Sequence, residues 1–393
     1  METDGITLGI YLSIPFCRSK CTYCNFASGV YPAADHARYV ERAIADLRGA
    51  RAWAARLGAA LPRSVDTIYL GGGSPNLLAP ELLAQLFAAM SAEFNVDRDA
   101  EITMECAPGQ IGEATLAAMT AAGVNRVSLG VQSFVDSETR ASGRLHNRDI
   151  VLTEIERLRA AGIANINIDL IAGLAGQTPA SWEESLSALI DIGAPHSSVY
   201  MLEVDEDSRL GREVMAHGSR YGAAIVPDDD AIARMYERAI ERLDEAGIRQ
   251  YEISNFARPG CESRHNLRYW RRLPYLGVGL DASSMLRTTR SKDVLRATTT
   301  DELKKYLASP AMAETNWLAP ERQHEEAWFL GLRLNDGVEV PALEREFGRQ
   351  TIEPALEVVQ RLAREELVTC ENGRVRLTAR GRLISNDVFQ EFL

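Results

Sequence analysis

Apolar residues follow two alternating rhythms over the first three quarters of the chain. Short runs rich in β-branched residues stand at 9–14, 67–70, 101–104, 126–129, 165–170, 198–202 and 249–253, each about the length of a buried strand. Between them, at 33–57, 80–94, 111–122, 149–161, 179–192 and 228–246, apolar positions recur with helical spacing, and several stretches close at a glycine: Gly123, Gly162, Gly193 and Gly247. Strand and helix in strict alternation predict repeated βα units around a parallel sheet. The expected fold is therefore α/β, a partial (β/α) TIM-like barrel, with its chemistry on the loops that follow the strands.

The rhythm changes after a polar stretch near 298–303. Helical spacing at 321–332, 341–347 and 354–366 gives way to two short extended runs, 367–370 and 374–377, joined by Glu371-Asn372-Gly373. Helices followed by a hairpin predict an α+β, winged-helix-like module. The expected domains are thus 1–290 and 300–393.

Composition narrows the function. With 393 residues, 46% hydrophobic, the chain can bury a large core without disulfides. A net charge of -12 argues against a nucleic-acid surface, which needs a basic face, and so against reading the C-terminal module as a DNA-binding regulator. The first twelve residues lack a basic start and long apolar core, and no stretch reaches the roughly eighteen apolar residues of a membrane span. A cytoplasmic protein without a transmembrane segment is expected, with peripheral membrane contact left open.

Three of the six cysteines fall within eight residues, as Cys17, Cys21 and Cys24, directly after the first expected strand. The spacing C-x3-C-x2-C puts three thiolates on one loop, enough for three irons of a [4Fe-4S] cubane, and leaves the fourth iron open to a small molecule. A zinc site completed by a distant histidine, or plain burial, is the alternative. After the second strand comes Gly71-Gly72-Gly73-Ser74-Pro75, where backbone can approach a ligand closely.

This pairing resembles the radical S-adenosylmethionine superfamily. The runs Gly130-Val131-Gln132-Ser133-Phe134, Gly143-Arg144-Leu145-His146, Asn167-Ile168-Asp169-Leu170-Ile171 and Tyr251-Glu252-Ile253-Ser254-Asn255-Phe256 are similar to those of the oxygen-independent coproporphyrinogen III oxidase family. The resemblance implies that Tyr11, Gly72 and Glu105 line the cluster-bound S-adenosylmethionine, and that Gly73, Ser74, Gln132, Arg144 and Asp169 contact it or a second molecule of it. Tyr23, between two ligands, would shield the cluster or stack on adenine.

Within that family, oxidases carry a further cysteine two residues after the third. Here the position is Phe26, as in the haem-chaperone branch called HemW. Ser263-Arg264-His265-Asn266-Leu267-Arg268-Tyr269-Trp270 resembles that branch's His-Asn-x-x-Tyr-Trp motif, which implies haem as a further cofactor with His265 as a ligand, Tyr269 and Trp270 against the porphyrin, and Arg264, Arg268, Arg271 and Arg272 for its propionates. The alternative is a hydrogen-bonding histidine with core aromatics. Ser13 and Ser283 stand where relatives commonly have histidine. The branch implies haem and an acceptor haemoprotein as partners and allows a homodimer; the rival is an oxidase decarboxylating porphyrinogen propionates.

Overall fold

The computed structural model describes residues 5–289, 291–308 and 314–393; both ends of the expected first domain, 1 and 290, lie outside them. Six strands run parallel and adjacent in chain order: β1 (Leu8–Ile14), β2 (Ser64–Gly72), β3 (Asn95–Cys106), β4 (Arg126–Gln132), β5 (Asn165–Ala172) and β6 (His196–Met201). Past β6 the sheet continues antiparallel through the hairpin of β7 (Arg249–Glu252) and β8 (Asn255–Ala257). Past β1 it continues through β9 (Tyr275–Gly279), parallel to β1, and then antiparallel β10 (Ser283–Arg287), β11 (Val294–Thr298) and β12 (Glu314–Leu318). The seventh expected strand, β7, runs in the direction of β6 but does not pair with it: β8 turns back from β7 after two residues and lies between them, antiparallel to both.

Helices wrap the outside: α1 (Ala33–Arg56), α2 (Pro80–Glu93), α3 (Glu113–Ala121), α4 (Asp136–Ala141), α5 (Arg148–Ala160), α6 (Pro179–Ile192), α7 (Arg209–Met215) and α8 (Asp229–Glu245). Local chemistry fixes their ends. Thr178 and Ser181 form a capping box ahead of α6, Pro179 opens it, and Gly193 closes it in the left-handed region at φ 66°. Leu12, Ile68, Leu70, Val127 and Ile168 on the outward faces of the strands join Leu47, Leu86 and Leu158 of the helices in one continuous core.

The inward faces are different. Gly9 and Tyr11, Thr67 and Tyr69, Glu101, Thr103 and Glu105, Asn167 and Asp169, and His196 and Ser198 alternate with those apolar residues along their strands, so the barrel interior is polar. Its N-terminal end is filled by α9 (Arg264–Trp270). Glu101 caps this helix, accepting hydrogen bonds from the backbone N–H of Arg264 and His265, each at 3.0 Å. A Cβ at residue 9 would lie 2.4 Å from Cδ of Arg268, so only glycine lets β1 pass the helix.

After α10 (Leu303–Ala308) and β12 a second core begins. It contains α11 (Pro320–Leu332), β13 (Val338–Glu339), α12 (Val340–Phe347), α13 (Arg349–Arg364), β14 (Val368–Glu371) and β15 (Arg374–Leu377), a winged-helix order with strand order β13-β15-β14. Two short helices follow, α14 (Ala379–Leu383) and α15 (Ser385–Gln390). Trp328, Leu332, Ile352, Val359, Leu362 and Val388 form its centre, with Ile253 joining from the β7–β8 turn. β11 and β12 extend the barrel sheet as far as Leu318, and the second core starts with α11. Half of the module's ten arginines form ion pairs: Arg322 with Glu325, Arg345 and Arg374 with Glu339, Arg349 with Glu344 and Arg361 with Glu391.

Candidate functional site

The loops after β1 to β6 and the start of α15 enclose one cavity of about 730 Å³. Cys17, Cys21, Cys24, Tyr23, Gly72, Gly73, Ser74, Glu105, Gln132, Arg144 and Asp169 all line it. Eleven of the twelve residues expected around the cluster and S-adenosylmethionine are therefore brought together; Tyr11 is not, and neither is the group around His265 expected to meet haem.

The cysteine loop is held from several sides. The N–H of Cys17 donates to the carbonyl of Gly29 at 2.8 Å, and that of Thr22 to Ser142 at 3.0 Å. Lys20 Nζ bridges back to the carbonyls of Phe26 and Ser28 at 3.0 and 3.1 Å. Leu210 of α7 donates its N–H to Thr22 at 2.8 Å. The three thiols are free, and burial pushes that of Cys17 up. Among the described residues no three histidine, cysteine or carboxylate side chains converge as around one metal ion. Cys106 also lines the cavity, but its Sγ turns to the Met104 carbonyl at 3.9 Å. Three thiols around a roomy cavity suit a multi-iron cluster better than a four-coordinate zinc ion.

Next to the loop lies a charged wall. Glu105 accepts from Tyr69 Oη at 2.8 Å and from the Gly72 N–H at 3.0 Å. Burial, and then the neighbouring Asp169, push its carboxyl up to about 7. Asp169 accepts from Ser128 Oγ at 3.0 Å and Asn167 Nδ2 at 2.7 Å. Arg144 crosses Gly130, where a Cβ would sit 2.9 Å from its guanidinium, and donates to Tyr23 Oη at 3.0 Å. Its Nε is buried without a partner. Two carboxylates, a cation with spare donors and open glycine backbone can take a zwitterionic amino acid joined to a ribose.

At the other end of the barrel His265 is 1% exposed. Its Nδ1 pairs with Thr67 Oγ1 at 2.9 Å and its Nε2 with Tyr269 Oη at 2.8 Å. Neither nitrogen is therefore open to iron in this arrangement, and burial, reinforced by Arg268, pushes the imidazole down to about 3. Tyr11 packs beside it, ring centroids 6.5 Å apart, below the cavity. Three of the four surrounding arginines are engaged, Arg268 with Asp66 and the carbonyls of Thr7 and Pro274, Arg264 with the Asp99 carbonyl and Arg272 with Glu346, while Arg271 is exposed. The group expected to face haem thus fills this end of the barrel, because helix α9 turns its polar side chains inward; Trp270 Nε1 and Arg268 Nε remain without hydrogen-bond partners.

Sequence reading missed further residues that line the cavity: Tyr200 to Glu203 at the end of β6 and just beyond it, Arg333 after α11, and Leu383 to Asp387 at the α14–α15 junction. The polar inward faces of the strands were a signal for Tyr69 and Ser128; nothing local marks the α14–α15 residues.

The Radical SAM superfamily model matches residues 11–189, and the HemN C-terminal domain model residues 318–384. The haem chaperone HemW of Lactococcus lactis is 32% identical over 98% of this chain and 96% of its own length. That of Bacillus subtilis is 33% identical over 98% of both. The chain belongs to the HemW family. A solved structure of the Escherichia coli coproporphyrinogen III oxidase HemN, a radical SAM enzyme, superposes with a TM-score of 0.82 at 23% identity, covering 98% of this chain and 90% of that one; it carries the fold. Radical SAM membership implies a [4Fe-4S] cluster and S-adenosylmethionine. The HemW relatives match both cores, barrel and winged-helix module. No helix among the described residues is long and apolar enough to cross a membrane.

Proposed function

We propose that the chain is a haem chaperone of the cytoplasm, holding a [4Fe-4S] cluster and S-adenosylmethionine, binding haem and passing it to an acceptor haemoprotein. The observation that carries this is full-length similarity to proteins named haem chaperone HemW. Phe26 supports it: 64% exposed at the cavity edge, it stands where the oxidases carry a further cysteine.

Cys17, Cys21 and Cys24 would hold the cluster, which when bound supplies one-electron chemistry and an iron position open to a ligand. Glu105 and Asp169 would receive the ammonium and ribose hydroxyls of S-adenosylmethionine, Arg144 its carboxylate, and residues 72–74 would offer backbone against it. Tyr23, fixed by Arg144, would shield the cluster from water. His265 reaches a haem iron only if α9 leaves the barrel and both imidazole hydrogen bonds break.

The test is an anaerobic haem titration of the cluster-reconstituted protein, read by visible absorption. Saturable one-to-one binding is expected; absence of specific binding, with decarboxylation of a porphyrinogen on turnover, would replace the chaperone with an oxidase. A bound spectrum unchanged in His265→Ala assigns the iron ligand elsewhere, and a changed one means that α9 opens.

A further inference from the structure

Arg333 closes α11 and reaches from the C-terminal core into the cavity wall. Its guanidinium carbon lies 4.3 Å from the ring centroid of Trp270 on α9 and 5.7 Å from that of Phe389 on α15. Two aromatic rings from two different parts of the fold therefore hold one cation in place. Arg268, Arg272 and Arg296 are each clamped on a carboxylate. Arg333 has no such clamp among the described residues, and its Nε is buried without a hydrogen-bond partner. Glu252 feels its charge but forms no ion pair with it: Oε1 of that carboxylate takes the N–H of Ser254 and the amide of Asn255, and its Oε2 stays buried without a hydrogen-bond partner.

A cation held on aromatic faces, lining a cavity, with donors unspent, is arranged for an anion from outside the chain. Stacking leaves the edge of the guanidinium plane free, and that edge matches the two oxygens of a carboxylate. The cavity also presents apolar surface from Phe26, Ile171, Leu202 and Ile253, which suits a ligand that is mostly hydrocarbon with acid groups at its rim.

We propose that Arg333 is the carboxylate-recognition residue of the cavity and takes a propionate of haem; this rests on the chaperone function proposed above. It gives Trp270 a task that involves no contact with the porphyrin, namely to carry the cation that binds the propionate. It also makes the C-terminal module part of the ligand site rather than a cover for it.

The experiment is a pair of anaerobic titrations, with haem and with haem dimethyl ester, on the reconstituted wild type, Arg333→Gln and Arg333→Lys. Loss of a charge-assisted bidentate contact weakens haem by about tenfold to a hundredfold in Arg333→Gln. Arg333→Lys should fall between, and the ester should bind all three proteins alike. If Arg333→Gln does not fold, judged by circular dichroism, the lysine variant against the ester decides. Equal haem affinity in wild type and the folded variant would overturn this proposal and leave the chaperone intact. Loss that is equal for acid and ester would also overturn it, pointing to packing. A separate titration with S-adenosylmethionine identifies the source of the carboxylate: unchanged affinity supports the haem propionate, and a loss confined to S-adenosylmethionine overturns it. Failure of the wild type to bind haem at all would remove both proposals.

Discussion

The two ends of the barrel are built from the same kinds of residue and behave in opposite ways. At the C-terminal end Arg144 and Arg333 keep unspent donors beside an open cavity. At the N-terminal end His265 has both nitrogens paired, and Arg268, whose Nε is likewise unpartnered, holds Asp66 and two backbone carbonyls with its terminal nitrogens and lies away from the cavity. A histidine or arginine in a motif announces capacity for binding; whether that capacity is left over for a ligand depends on what the fold has already used.

The sharpest way to break the contrast is to remove a thiol. Cys17→Ala, Cys21→Ala or Cys24→Ala should each abolish the visible absorption of the reconstituted cluster while circular dichroism stays that of a folded protein; a retained cluster would mean that the three do not act together. Next comes Arg268→Met, which strands the partly buried Asp66 and should cost about 3 kcal/mol in urea unfolding. Arg144→Met should cost much less stability but weaken S-adenosylmethionine, measured by calorimetry; the reverse pattern would exchange the roles of the two ends. His265→Ala follows, at about 1–3 kcal/mol for the stranded hydrogen-bond partners. Because the folded imidazole titrates near 3 rather than 6.5, its contribution is present above pH 6.5 and is lost as pH falls toward 3. The variant should flatten that part of the stability profile. The smallest effect is Glu105→Gln in the protein without cluster or S-adenosylmethionine. With its carboxyl raised from 4.5 to about 7, Glu105 contributes stability that is present below pH 4.5 and lost as pH rises through about 7. The amide should remove that slope, and an unaltered profile would place the titration elsewhere.

Much of this was legible in the chain. The helix expected at 179–192 spans those residues, since a capping threonine, a proline and a glycine mark its ends. That the cysteine loop, Glu105 and Asp169 lie at one cavity was readable because they follow or end strands in a βα pattern. Short strands such as β8, β10 and β11 escaped notice because their pairing is antiparallel and set by partners distant in sequence. Tyr11 and His265 stand away from the cavity for a different reason. A motif gives residue identity, whereas depth along a strand and the direction of a helix face are decided by packing. Arg333 and the α14–α15 residues were invisible, because their only connection to the cavity is through space.

One further consequence concerns the order in which the chain is made. β1, which leads straight into the cysteine loop, has β2 on one edge and β9 on the other, and the residues paired with Gly9 on those two edges are Thr67 and Tyr275. As the protein leaves the ribosome, the cysteines appear first, but the second edge of their strand and the α9 plug beneath it arrive more than half a chain later. Domains generally assemble as their residues emerge, so the thiol loop passes through a long interval in which its supporting strand is paired on one side only. Delivery of iron and sulfide during synthesis would meet a more accessible loop than delivery afterward.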